Sequence, residues 1–462
     1  MQFDSRGLPI TTSSAEAARS IDQAVKAYMD YGTTAGANIK DALDKDPTCV
    51  LALCIRGYFF LMLENKALLP RVKQTLDDIK PHLGAATRRE QFHVKALEAW
   101  AAGDIMGACG CWEEILTDSP RDLLALKLHH TMTFYTGRSQ VMRSVVASIL
   151  GAWDDKVQDY GCVQGMYAYA LEECGAYDEA ERWGRQAVER NPGDLWAIHS
   201  VAHVLEMQGR SKEGVKWLDY TPEQWAKKNP FKAHVWWHAA LFMLAQGENE
   251  RALALYDNAL CSVNSEQYVD VSNQAALLKR IELSGVDIGD RWNVLAEHSE
   301  KRIRDHMLPF RDAHFSLALA AAGKFDTARK HIESMAEFAA QGMGWRAEAT
   351  RDVLIPLCEG MIAYEAGDYD KATDLFWPMR HEIVNIGGSH AQRDLFAQII
   401  CDAALHSSRL PVARSLLSER VLNRGTRKRN WEEYSRVLAA LGDAKGAENS
   451  RKQAALAREA GA

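Results

Sequence analysis

Three side chains able to bind a metal or move a proton lie on one helical stripe: His199, His203 and Glu206. Offsets of four and seven residues are one and two turns of an α-helix, so two imidazoles and a carboxylate share a face. Two neutral imidazoles one turn apart with a carboxylate can ligate zinc or iron, and the same groups can act as general acid and base near neutral pH. A second HxxxH pair, His234 and His238, follows, with Trp237 between. Fifteen histidines in 462 residues give about half such a pair by chance, so two is a mild excess. No HExxH occurs, and the single ExxH, Glu90 with His93, falls short of the two that a di-iron helical bundle uses. A divalent metal is an option that the sequence does not require. An organic or peptide ligand stays open beside it, as does plain packing of polar side chains between helices.

Other groups have both a chemical and a bland reading. Gly387-Gly388-Ser389-His390-Ala391-Gln392-Arg393-Asp394 places two glycines and an arginine at a helix start, where an anion can bind. Ser389 and Gln392 also have the spacing of a capping box, which accounts for them without a ligand. Asp312-Ala313-His314 offers an orienting carboxylate with an imidazole, or an N-cap aspartate beside a packed histidine. His129-His130 falls near helix-pairing positions, as core or rim. Of thirteen tryptophans, the adjacent Trp236 and Trp237 point about 100° apart, so one of them must leave the core for a groove or a neighbouring helix. Nothing resembles a P-loop, a GxGxxG turn or a GxSxG elbow, which argues against nucleotide-dependent and serine-hydrolase chemistry.

The elements that must position these residues are helices. Apolar residues recur at i, i+3, i+4 and i+7, as at Leu53, Gly57, Phe60 and Leu61, and no alternating strand run stands out. The helices repeat. From Met166 to Pro192, the small Ala168, the turn Gly175, then Ala180, Ala187 and Pro192 match the tetratricopeptide spacing of about 34 residues. Small residues let paired helices approach, glycine permits the turn, and proline stops the second helix. Copies anchor at Ala35, Ala108, Ala180, Gly214, Ala252, Ala328, Ala372, Ala413 and Ala447. Three gaps span two repeats; degenerate copies fill two of them, at Gly57-Tyr58 and at Phe134 to Met142, and 265–300 is helical but off-consensus. The expectation is an all-α, right-handed α-solenoid of roughly a dozen helix pairs. Residues 1–15 form an N-terminal arm, 16–442 one continuous solenoid with a soft boundary near 265–300, and 443–462 a C-terminal capping helix.

Several segments across most of the chain resemble the tetratricopeptide repeat protein 38 family. They are Arg89-Glu90 with His93-Val94, Ala96-Leu97, Trp100 and Gly103; Trp112-Glu113 with Ile115-Leu116; His199 with Ala202-His203-Val204, Glu206-Met207 and Gly209; His234-Val235 with Trp237-His238; Leu283, Gly285-Val286-Asp287 and Arg291-Trp292; Asp312 with His314; and Gly387 through Asp394. The resemblance implies the fold more firmly than any activity, and 60–80 and 405–430 do not match. Tetratricopeptide arrays usually turn positions 2, 5, 9 and 12 of the first helix of each pair toward a concave groove. On that frame His199, His203 and Glu206 take positions 5, 9 and 12, His234 and Trp237 positions 2 and 5, Tyr169 and Glu172 positions 9 and 12, and His93 and Trp100 positions 5 and 12. With His238, His390 and Arg393 they make the candidate ligand-binding set. The function expected is a binding or scaffold protein holding a small molecule or an extended peptide in that groove. The alternative is an enzyme working by acid–base or metal-assisted chemistry, with His199, His203, Glu206, His238 and His314 as catalytic candidates and His199, His203 and Glu206 as metal ligands.

Composition limits the partners. A formal charge of −7 gives no overall attraction to phosphate, so neither nucleic acid nor an anionic membrane is an expected partner. The basic run Arg424-Gly425-Thr426-Arg427-Lys428-Arg429 reads as a solvated loop. Nine cysteines without a CxxC pair suggest buried thiols in a reducing compartment. The first twenty residues carry Asp4, Arg6 and Glu16 and no apolar core of a signal peptide, and no window of 18 apolar residues is free of charge. A cytoplasmic protein is expected, with homo-oligomerisation through an apolar end face a further possibility.

Overall fold

The computed structural model describes residues 1–220, 223–261 and 268–461. Most of them lie in helices, and the fold is an all-α solenoid of tetratricopeptide-like helix pairs. Of the off-consensus stretch, 265–267 lie outside the described residues, and the rest forms the helices Tyr268–Leu283 and Arg291–Glu300. Two compact units result. One comprises Met1–Val201, Tyr220–Lys232 and Met343–Arg346, the other Ala202–Asp219, Ala233–Gly342 and Ala347–Ala462.

In the first unit the pair Tyr160–Glu172 and Tyr177–Arg190 shows how the repeat is built. Gly175, at φ +79°, takes the left-handed turn between the two helices, closed by Gly175 N–H to Glu172 O and Ala176 N–H to Leu171 O. Ala168, Ala180 and Ala187 are fully buried. At Gly184 a Cβ would lie 2.7 Å from Cγ2 of Val201, so the approach to the next helix excludes any side chain there. The second helix stops at Arg190, just before Asn191-Pro192. The degenerate copies fold as the pairs Val50–Met62 with Leu69–Ile79 and Leu123–Tyr135 with Ser139–Ile149.

The N-terminal arm is tied down. Gln2–Phe3 and Pro9–Ile10 pair antiparallel, with Gln2 opposite Ile10. Arg6 is buried against the carboxylates of Asp4, Asp22 and Asp159. Thr11 donates its N–H and its hydroxyl to Glu90, which also closes the capping box of Thr87.

The second unit uses the same small-residue contacts. Ala252, Ala328, Ala372 and Ala413 are fully buried, and Gly214 packs beneath the ring of Phe242. The terminal helix Ala444–Gly461 packs on Lys428–Ala440, with Ser435 Oγ donating to Ala447 O. No helix among the described residues is long and apolar enough to cross a membrane.

Candidate functional site

The second unit gathers eight of the residues singled out in the sequence: His203, Glu206, His234, Trp237, His238, His314, His390 and Arg393. His234, Trp237 and His238 share one face of the helix Phe231–Ala245, at spacings of three and four residues. His203 meets them from the helix Leu195–Met207. The ring centroids of His203 and His238 are 4.4 Å apart and those of His234 and His238 4.9 Å, with one nitrogen of each imidazole within 4.8 Å of the others. From the helix Tyr268–Leu283, Asn273 Oδ1 lies 2.9 Å from His234 Nδ1. That contact places the proton on Nδ1.

Two of these imidazoles, His234 and His238, are neutral. Burial pushes His234 down to about 3 against the opposing Asn273 contact. Burial also holds His238 well below the ordinary histidine range, with His203, His234 and Arg280 adding to the effect. Arg280 extends from the same helix as Asn273 and lies with its Cζ 5.2 Å from the ring centroid of Trp237, which stacks on His234 at 5.3 Å. Arg280 is 6% exposed, and its guanidinium donates to backbone carbonyls, Ala276 O at 3.0 Å and Ala391 O at 2.7 Å. No carboxylate among the described residues lies within 4.0 Å of it. Burial lowers its pKa to about 10, with Asp394 and Glu206 acting against that from a distance and Arg424 and Arg420 reinforcing it.

Those two carboxylates are engaged elsewhere. Glu206 Oε1 holds Arg427 at 2.7 Å and Arg424 at 3.4 Å. Asp394 Oδ1 holds Arg420 at 2.9 Å and Arg424 at 3.2 Å. Burial works against its ionisation, yet the arginines keep it well below the usual carboxylate range. The segment read as a solvated basic loop thus supplies Arg424 and Arg427 to the interior, because buried acids are waiting for them. Four guanidinium groups face two carboxylates. Two buried donors also lack an acceptor among the described residues, the indole N–H of Trp237 and Nδ2 of Asn273.

The neighbouring candidates frame this centre. Ser389 and Gln392 form the capping box of the helix His390–His406, whose first-turn carbonyl at Ala391 receives Arg280. Arg393 contacts Gly388 O and His390 Nδ1, while Arg424 reaches His390 O. His314 donates Nδ1–H to Phe310 O and packs on Phe396. Asp312 is not an N-cap: Leu308 holds that position in the helix Pro309–Ala321, and the Asp312 carboxylate turns to His306 and His331.

The first unit holds the remaining candidates. Tyr169 stacks on His199 at 5.5 Å, and both rings pack on Trp196. Glu172 is fully buried on the helix of Tyr169. Lys127, which no sequence pattern singles out, places its ammonium 3.9 Å from the ring centroid of Trp196 and donates to Tyr31 Oη at 2.8 Å. Burial lowers Lys127 to about 7 and raises nearby Asp194 to about 6. His93 and Trp100 belong to a core network: His93 Nε2 lies 3.1 Å from Asp122 Oδ2, Tyr58 Oη donates to His93 O at 2.6 Å, and Trp100 stacks on Tyr58. His129 pairs with Glu113, and His130 is buried between Tyr169 and Trp196.

With Glu206 taken by two arginines, the trio in the second unit is three imidazoles and no carboxylate. Such a set can ligate zinc, but the guanidinium of Arg280 acts on His238 and disfavours a dication there. An excess of donors and positive charge is the signature of an anion site.

No protein-family model matches the chain. Among solved structures it is similar to the human IFIT1 dimer with PPP-AAAA, at 13% identity over 84% of this chain and 86% of that one, with a TM-score of 0.39. A tetratricopeptide repeat protein from Parabacteroides merdae matches at 12% identity over 68% of this chain and 98% of its own, at 0.35. The APC/C hetero-tetramer Cut9-Hcn1 matches at 10% identity over 96% and 94%, at 0.33.

Proposed function

We propose that this is a binding protein for a small organic anion, held at Arg280 and the histidine trio of the second unit. The observation that carries the reading is Arg280, a buried guanidinium with carbonyl partners and no ion pair among the described residues. An uncompensated buried charge costs several kcal/mol, so a counter-ion that completes it is favoured. The orphaned donors of Trp237 and Asn273 support the same conclusion, since a carboxylate offers about four lone-pair sites and these groups offer only hydrogens. A carboxylate is the group that satisfies both. The sequence motifs around His93, His199, His234 and Gly387 support membership of the tetratricopeptide repeat protein 38 family.

The test is isothermal titration calorimetry with benzoate, fumarate, citrate and inorganic phosphate at constant ionic strength, with benzyl alcohol as the neutral control. Native mass spectrometry of the protein as purified runs beside it. A carboxylate should bind at one equivalent, benzyl alcohol should not, and Arg280→Met should weaken binding roughly 10- to 100-fold, as expected for a lost charge-assisted hydrogen bond. Equal binding by wild type and Arg280→Met, or an empty protein that takes up none of the panel, overturns the proposal.

A further inference from the structure

The second unit contains another polar cluster that plays no part in the anion centre. His306 lies in the segment before the helix Pro309–Ala321, Asp312 on that helix, and His331 on Phe325–Gln341. All three are buried. His306 Nδ1 stands 3.2 Å from Asp312 Oδ2, and His331 Nε2 stands 3.7 Å from Asp312 Oδ1. The second spacing is too long for a hydrogen bond, and both of its atoms lack a hydrogen-bond partner among the described residues. Two ligands on a tetrahedral metal, each about 2.0–2.1 Å from the ion, lie about 3.4 Å apart. The two observed spacings bracket that value.

The other nitrogen of each imidazole is held by a serine hydroxyl. His306 Nε2 lies 2.8 Å from Ser334 Oγ, and His331 Nδ1 lies 3.1 Å from Ser316 Oγ. Each serine thus fixes ring orientation so that the remaining nitrogen faces the carboxylate, as the outer contacts of metal-ligating histidines do. The rings themselves are nearly parallel, at 13°. His306 also holds a left-handed backbone, φ +48°, which costs a side-chain-bearing residue about 1 kcal/mol. Its ring is thereby brought over Asp312 from outside the helix. Two imidazoles with one carboxylate are a donor set for zinc or ferrous iron.

We propose that His306, Asp312 and His331 form a divalent transition-metal site, with zinc as the ion that this buried nitrogen–oxygen donor set favours. The site ties the segment preceding Pro309 to two helices of the second unit. Ligation uses His306 Nδ1, His331 Nε2 and the Asp312 carboxylate, while Ser334 and Ser316 act as positioning residues.

The test uses full-length protein without a histidine tag, stripped with chelator, desalted, and titrated with zinc or cobalt(II). Wild type should take up one equivalent in this site, show the visible bands of tetrahedral cobalt, and melt higher with zinc than with chelator. His331→Gln should lose that equivalent and those bands, whereas His238→Gln, in the other histidine cluster, should keep both. Ser316→Ala retains every ligand and should weaken cobalt binding about 10- to 100-fold, which keeps the test open if His331→Gln fails to fold. Wild type that takes up no metal, or metal retained unchanged in His331→Gln and in Ser316→Ala, overturns the proposal. Loss of the equivalent only in His238→Gln assigns the ion to the other cluster and also overturns it.

Discussion

Arg280 lies over the ring face of Trp237, and the same indole, fully buried, points an N–H at no acceptor among the described residues. A cation without a counter-ion and a donor without an acceptor are thus packed side by side among the described residues. Cation–π attraction of about 1–2 kcal/mol offsets only part of the desolvation of a guanidinium.

Arg280→Met should therefore leave the ligand-free protein as stable as wild type or more so, since replacing an uncompensated buried charge by an apolar side chain of similar size is often neutral or stabilising by about 1–4 kcal/mol. The check is calorimetry in buffer free of organic anions. A midpoint lowered by several degrees would mean that the carbonyl contacts at Ala276 and Ala391 are why Arg280 is there.

Anion binding should strengthen as the pH falls. With no anion bound, His234 titrates near 3 and His238 well below its ordinary value, so both are neutral. A bound carboxylate raises both, and a complex with higher pKa values than the free protein takes up protons on binding. Titrations at pH 5.5 and 7.5 in buffers of different ionisation enthalpy read that uptake directly. Identical affinity and no proton uptake would place the anion away from the imidazoles.

Lys127 predicts a different pH profile. Its amine titrates near 7 in the fold, because of burial, against about 10.4 in the unfolded chain. Between those values the unfolded state binds more protons, so this group destabilises fully below pH 7 and its penalty fades as pH rises toward 10. The midpoint gained by Lys127→Met relative to wild type should thus be largest at pH 6–7 and shrink by pH 9.5. Asp194, Cys162, Tyr31 and His130 surround it and are common to both proteins, so the difference isolates the lysine. A gain that does not change with pH would falsify the assignment.

Two glycines in helices should respond with opposite signs. A Cβ on Gly214 would meet the buried Phe242 ring at 2.5 Å, so Gly214→Ala should cost about 1–3 kcal/mol. At exposed Gly110 a Cβ meets nothing within 4 Å, and Gly110→Ala should stabilise by roughly 0.5–1 kcal/mol. Chemical denaturation of both variants measures the pair.

What the sequence made legible was local. Turn glycines such as Gly175 and packed alanines such as Ala180 repeat because each helix pair solves the same contact problem, and a 34-residue period displays it. The HxxxH spacing puts His234 and His238 one turn apart for the same reason, and their ring centroids lie 4.9 Å apart. Arg280 was illegible, since what distinguishes it is a missing counter-ion, and absence has no sequence pattern. Glu206 carried the spacing of a ligand, but its partner Arg427 lies 221 residues further on, inside a run that looked like solvated surface. His306 and His331 show no motif at all, being joined only by the carboxylate between them.

The clasp of Arg6 bears on the order in which the first unit can be made. Its partners Asp22 and Asp159 are separated by most of that unit's length, and Arg6 precedes Asp159 by 153 residues. At about 5–20 residues per second of synthesis, roughly 8 to 30 seconds pass between the emergence of the cation and that of its last carboxylate. Helix pairs in between can form as they appear, whereas the Arg6 clasp closes only once Asp159 has emerged. A slow-translating stretch after residue 159 would let that docking finish before the second unit emerges, and a ribosome arrested before it would hold a first unit with its amino terminus still undone.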